Sequence, residues 1–221
     1  DLAAKNSEST IAGLCQLRDE QIDKTIEALE PAKKGRLHVY VPVDPNLMHA
    51  TLGSLADQKD VIAKNVLDFC KRAADAGLEV EFSPEGYSRQ AENFDFVTDL
   101  IRAAVEGGAS VINCPDTIGG ACEFQGEEYF VEKMNKHAAI IAKEFPKKDV
   151  TWSAHCHNDF GLAVQNSINA VFRGPARQIE GCFAGVGERA GNAALEQCIL
   201  IIKHFAECVD CLLYTSDAAD E

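Results

Sequence analysis

Short apolar runs alternate with longer amphipathic stretches along this chain, and that alternation leaves very few folds open to it. The short runs lie at 11–14, 37–43, 78–82, 110–114, 151–155 and 178–183, with amphipathic stretches such as 61–76, 95–106 and 127–144 between them. In 61–76 the apolar residues Val61, Ile62, Val66, Phe69, Cys70 and Ala73 recur at helical spacing and share one face. Ala76-Gly77 and Gly107-Gly108 supply the glycine that ends a helix before a strand. Six strand–helix units in series predict an α/β fold, a parallel sheet with helices packed outside it.

An open doubly wound sheet and a (β/α)8 TIM barrel both satisfy this pattern, and the polar residues separate them. His38, Ser83-Pro84-Glu85, Pro115-Asp116-Thr117, the segment 155–159 and the segment 185–192 each accompany a different strand. Barrel loops converge on one mouth, whereas an open sheet concentrates its chemistry at one crevice. A barrel is therefore expected, lacking about two of its eight βα units at the N-terminal side. The absence of an initiator methionine agrees with an upstream start. Residues 1–210 are expected to form this partial catalytic domain. Residues 211–221, CLLYTSDAADE, look like an in-frame translation of a sequencing-library adapter and are expected to be a non-native tail.

Composition excludes some partners. A net charge of −14 argues against nucleic acid, because phosphate binding needs clustered Lys and Arg. No run approaches the roughly 18 apolar residues that span a bilayer, so no membrane is expected. The nine cysteines are scattered through apolar segments without framework spacing, which predicts free buried thiols and a cytoplasmic location.

The sharpest chemical signal is His155-Cys156-His157 at the close of an apolar strand. Side chains two apart on a strand point the same way, so both imidazoles can address one metal ion. A lone histidine there would read as a satisfied core residue; the pair does not. The loop Gly185-Val186-Gly187-Glu188-Arg189-Ala190-Gly191-Asn192 permits unusual backbone angles and close ligand approach. It has the spacing of neither a dinucleotide fingerprint nor a phosphate loop. Glu81 falls inside an apolar run and is expected to be buried and paired. Glu85 follows at the mouth, where a carboxylate acts as a base or orients substrate, although an exposed loop glutamate is the commoner role. Thr117 offers a hydroxyl to a substrate carboxylate or caps a turn. His38 follows Arg36 early in a strand and could equally be a half-buried strand residue. His137, inside a helical pattern, is expected to be structural, as are His49 and His204, which have no companion ligands nearby.

Three stretches carry a family resemblance: VEFSPEGYSR, INCPDTIGG and WSAHCHNDFGLAVQNSINAVFRGPARQIEGCFAGVGERAGNAALE, the last covering 152–196. Together they resemble the metal-dependent family that contains 2-isopropylmalate, homocitrate and citramalate synthases and hydroxymethylglutaryl-CoA lyase. GERAGN is similar to the condensing synthases rather than the lyases, and the first two stretches are closest to 2-isopropylmalate synthases. The resemblance implies condensation of acetyl-CoA with 3-methyl-2-oxobutanoate and thioester hydrolysis, a step of leucine synthesis. The alternatives it leaves are another 2-oxo acid or acyl-CoA cleavage. It implies a divalent metal (Mn²⁺, Zn²⁺ or Mg²⁺) on His155 and His157, with Asn192 binding directly or through water. It gives Glu85 and His38 acid/base or substrate-positioning roles and Thr117 a substrate-carboxylate contact. A homodimer is implied for the full-length protein. The family's first-strand motif D-x-T-x-R-D-G-x-Q is absent from this sequence, as is its C-terminal region, so the chain by itself is expected to show no turnover.

Overall fold

In this computed structural model residue 5 and residues 8–205 are described; the expected tail at 211–221 lies outside them. The described strands are β1 (Ile11–Gln16), β2 (Gly35–Pro42), β3 (Glu79–Glu85), β4 (Val111–Asp116), β5 (Thr151–Cys156) and β6 (Ala176–Glu180). They form one sheet in sequence order, every neighbouring pair parallel. Among the elements of the described segment 8–205, seven α-helices lie between or after them: α1 (Asp19–Leu29), α2 (Pro45–Leu52), α3 (Lys59–Asp75), α4 (Phe94–Glu106), α5 (Phe130–Glu144), α6 (Ala163–Phe172) and α7 (Leu195–His204). The architecture is a partial (β/α)8 barrel with six strands described, where a closed barrel of this type has eight.

Local chemistry explains the elements. Asp44 caps α2, its Oδ1 accepting from Leu47 N at 2.9 Å, and Pro45 occupies the first turn, where an N–H has no helical partner. On α3, Ile62, Val66, Cys70 and Ala73 are buried, the face that the spacing marked out. Each such side chain taken fully from water contributes on the order of 1.5–3 kcal/mol for the larger residues. None of the described cysteines is in a disulfide, and Cys15, Cys70, Cys114, Cys156 and Cys198 are buried. Among the described residues no helix is long and apolar enough to cross a membrane.

Several boundaries depart from the sequence pattern. Strands β3 and β4 run on through Ser83-Pro84-Glu85 and Pro115-Asp116, because these residues pair with Tyr40–Pro42 on one side and His155–Cys156 on the other. Strand β6 occupies Ala176–Glu180 rather than 178–183. At Gly181 the backbone packs so closely on the Ala193 carbonyl that a Cβ would collide with it, and Phe183 enters an exposed 3-10 turn. Helix α5 starts at Phe130, not at 127, since Gly126 (φ 59°) and the extended Tyr129 interrupt the helical path.

His137 is structural, as its place in a helical pattern suggests. It is fully buried on α5, accepts the Tyr87 hydroxyl at Nδ1 (2.7 Å) and stacks on Phe94 with ring centroids 4.2 Å apart. Burial, with Lys133 and Arg102 nearby, lowers its pKa from 6.5 to about 4. The folded chain then binds fewer protons than the unfolded one between those values. The stabilisation is complete above pH 6.5 and is lost as pH falls through about 4, for a total of roughly 3 kcal/mol. His137→Gln is therefore expected to flatten the acid side of a plot of urea midpoint against pH. An unchanged acid slope would remove His137 as the cause.

Candidate active site

Strand periodicity builds the site. On β2, Leu37, Val39 and Val41 are buried in the core, so Arg36, His38 and Tyr40 point the other way, into the barrel. Ser83 and Glu85 of β3, Asn113 and Pro115 of β4, His155 of β5 and Glu180 of β6 do the same. With Thr117, His157 and Glu188 they line a cleft of about 350 Å³.

His155 and His157 converge at its head. Their Nε2 atoms are 3.2 Å apart, while both Nδ1 atoms are buried without a hydrogen-bond partner. The backbone places them: His155 is in register with Pro115, and His157 N donates to the Asp116 carbonyl at 3.2 Å. Burial, together with His157 and His38, lowers His155 to about 4; burial and Arg189 lower His157. Both shifts favour the neutral ring, the form that binds a metal. Two nitrogens each about 2.0–2.1 Å from one cation would lie about 2.8–3.4 Å apart at angles between octahedral and tetrahedral, a range that includes this pair. Asn192 is brought alongside by a bridge to His157; its Nδ2 donates to Val186 O at 3.0 Å and its Oδ1 is left without a partner. Two imidazole nitrogens and one free amide oxygen are a donor set that fits a divalent transition metal.

Below the pair lies a polar floor. His38 Nε2 meets Ser83 Oγ at 2.6 Å, Asn113 Nδ2 donates to Ser83 Oγ at 2.8 Å and to Glu180 Oε2 at 3.3 Å. Glu81, only 2 % exposed, accepts from Arg36 Nη1 at 3.0 Å and from Gln178 Nε2 at 2.9 Å, so it is buried and paired as its place in an apolar run implied. Burial first, then the hydrogen bond and charge of Glu81, push Glu180 up to about 9. Burial opposes the Glu81 charge, but Glu180, His38 and Arg36 together hold its carboxyl below the usual range. Ligand atoms of His38, Glu81 and Glu180 lie within 4.8 Å of one another. A second cation there would compete with the Arg36 guanidinium, so the cluster reads as a charge-compensated floor. Burial also lowers His38.

The mouth is shaped by three loops. Glu85 and Glu188 both line the cleft, and burial, then the Glu188 charge, raises Glu85. Thr117 Oγ1 accepts from Gly86 N at 2.9 Å, which leaves its proton free to donate. Arg189, at a left-handed φ of 54°, reaches back to Asp159 through Nε (2.8 Å) and Nη2 (3.0 Å) and donates to Thr117 O at 2.7 Å. The glycines of this loop matter where it folds onto itself: a Cβ on Gly191 (φ 102°) would collide with the Gly185 carbonyl.

The structure brings His38, Glu85, Thr117, His155 and His157 to one cleft and sets Asn192 beside His157. Sequence reasoning gave no role to Glu180 or Asn113. Their signal is period two, since Gln178 and Glu180 share a face with Asn113. His49 and His204 are exposed on α2 and α7.

Comparison with known proteins adds the lineage. A family model described as HMGL-like matches residues 1–217. The chain is 37 % identical over 197 residues to the 2-isopropylmalate synthase of Methylococcus capsulatus, covering 89 % of this chain and 36 % of that protein. It is 37 % identical over 202 residues to the one from Neisseria meningitidis serogroup B, covering 91 % and 37 %. The chain thus spans little more than a third of these relatives' length. Among solved structures it is similar to a Bacillus subtilis HMG-CoA lyase (TM-score 0.63, 17 % identity, 90 % of this chain and 63 % of that one). It is also similar to the N-terminal domain of a putative aldolase from Bacteroides vulgatus (TM-score 0.60, 21 % identity, 92 % and 59 %). At those identities the likeness speaks for the fold alone.

Proposed function

This chain belongs to the HMGL-like family, and on that premise we propose that it is part of the catalytic barrel of a divalent-metal-dependent synthase that condenses acetyl-CoA with a 2-oxo acid. The 2-oxo acid proposed is 3-methyl-2-oxobutanoate and the product 2-isopropylmalate, the reaction for which the relatives at 37 % identity are named. The observation that carries the reading is the convergence of two imidazole Nε2 atoms, 3.2 Å apart, at the head of a cleft lined by Glu85, Glu188 and Thr117. His155, His157 and Asn192 would hold the metal, which supplies Lewis-acid polarisation of the ketone when bound.

The remaining work falls to the chain's own groups. Thr117 donates its hydroxyl proton to the carboxylate of the 2-oxo acid, with the hydroxyl oxygen fixed by Gly86 N–H. Glu85, made more basic by burial and by Glu188, takes a methyl proton from acetyl-CoA. The resulting carbon nucleophile forms the new bond to the ketone carbon, whose oxygen takes up a proton. Water then cleaves the thioester and releases free CoA thiol. His38, tied to Ser83 and close to Glu81, positions the substrate or relays a proton. The working protein is proposed to be a longer, cytoplasmic homodimer.

The test is a polypeptide extended to the relatives' length, offered a panel of 2-oxo acids with acetyl-CoA while free thiol is followed. Thiol release is expected with 3-methyl-2-oxobutanoate and with none from the 221-residue chain alone. Turnover with pyruvate or 2-oxoglutarate instead would move the substrate. Cleavage of a 3-hydroxyacyl-CoA without condensation would move the reaction class.

A further inference from the structure

We propose that Glu180 is a positioning residue for the cation site: its Oε2, 3.5 Å from Nδ1 of His155, selects the Nδ1–H tautomer of that ring and so aims an unprotonated Nε2 at His157. The inference rests on reading His155 and His157 as cation ligands.

The argument begins with register. His155 on β5 and Glu180 on β6 are direct cross-strand partners, so their side chains rise side by side into the barrel. A neutral imidazole carries one proton, and whichever nitrogen holds it cannot bind a cation. Nδ1 of His155 is buried and makes no hydrogen bond in this structure, and the Glu180 carboxyl Oε2 stands 3.5 Å from it. Nε2 of the same ring faces another imidazole nitrogen instead. A proton on Nδ1 therefore has an acceptor at hand, and it frees Nε2 for the cation.

Glu180 is itself held in place. Asn113 Nδ2 donates to Oε2 at 3.3 Å and Gln178 Nε2 to Oε1 at 3.4 Å, while Glu81 hydrogen-bonds the same carboxyl group. Oε2, the oxygen that Asn113 anchors, is the one that faces His155. Groups that orient a metal-bound histidine through its second nitrogen typically change cation affinity by 10–100-fold when removed.

Two measurements on the chain decide the matter. In a ¹⁵N-histidine-labelled sample, assigned with His155→Ala, long-range proton–nitrogen correlation spectra should show His155 protonated at Nδ1 both before and after Zn²⁺ is added. By calorimetry, Glu180→Ala should lower Zn²⁺ affinity by about 10–100-fold, and Glu180→Gln, which keeps a carbonyl acceptor, should return to within about threefold of the parent. A proton on Nε2 in the cation-free parent overturns the proposal, and this result needs no variant of Glu180 to fold. So does unchanged affinity in Glu180→Ala when His157→Ala has lost it, which leaves the cation reading standing. If Zn²⁺ disturbs neither ring in the parent, the cation reading itself fails and the positioning role falls with it.

Discussion

His157→Ala is expected to lower Mn²⁺ or Zn²⁺ affinity by more than the 10–100-fold that loss of an outer partner costs, with the fold retained. On the proposed reading the pair serves a cation rather than packing. The two rings approach edge to face with Nε2 atoms 3.2 Å apart, and neither Nδ1 has a hydrogen-bond partner. Two neutral imidazoles offering nitrogens to the same point gain little from each other and much from a shared positive ion. The backbone of His157 stays anchored without the ring, by its N–H to the Asp116 carbonyl and its bridge to Asn192. Thermal unfolding should therefore shift little while calorimetry records the lost affinity. Equal cation binding by parent and variant would rule the pair out as the metal site.

Asp116→Ala is expected to be the most damaging single change to stability, at about 3 kcal/mol or more. The side chain is fully buried at the end of β4 and satisfies three donors: Ser88 Oγ at 2.7 Å, Gly120 N at 3.2 Å and Ala121 N at 3.0 Å. Alanine would strand all three in a dry environment, each at a cost of about 1–3 kcal/mol. For a chain of this length that corresponds to a loss in Tm of roughly 10 °C. The same carboxyl organises the turn that carries Thr117 and Gly119. A Cβ on Gly119 would meet Asp159 N at 2.5 Å and His157 O at 2.7 Å, so that turn already lies against the segment 157–159. Cation affinity should fall with stability. A change under about 1 kcal/mol would show that water or a shifted loop replaces the three bonds.

Features set by near neighbours were legible in the sequence. The six-unit alternation gave the strand order and the parallel sheet. The two-residue spacing of His155 and His157 put both rings on one face, because strand geometry repeats every second residue. Glu81 could be read as buried and paired, since a carboxylate inside an apolar run has few other options. Glu85, Thr117, His38 and Asn192 came from resemblance more than from physics, and each lies on or beside the cleft.

What the sequence determined by itself is the repeating βα pattern and the metal-binding look of one strand end, both consequences of backbone periods of two and about 3.6 residues. Only the tertiary structure decided which strangers meet. Glu180 faces His155 because β6 pairs in register with β5, and Asn113 reaches both Ser83 and Glu180 across three strands. Arg189 is locked to Asp159 and Thr117, which are 30 and 72 residues away. No local rule foretells such contacts. They depend on strand register and loop closure, and the energies that fix those are summed over the whole core.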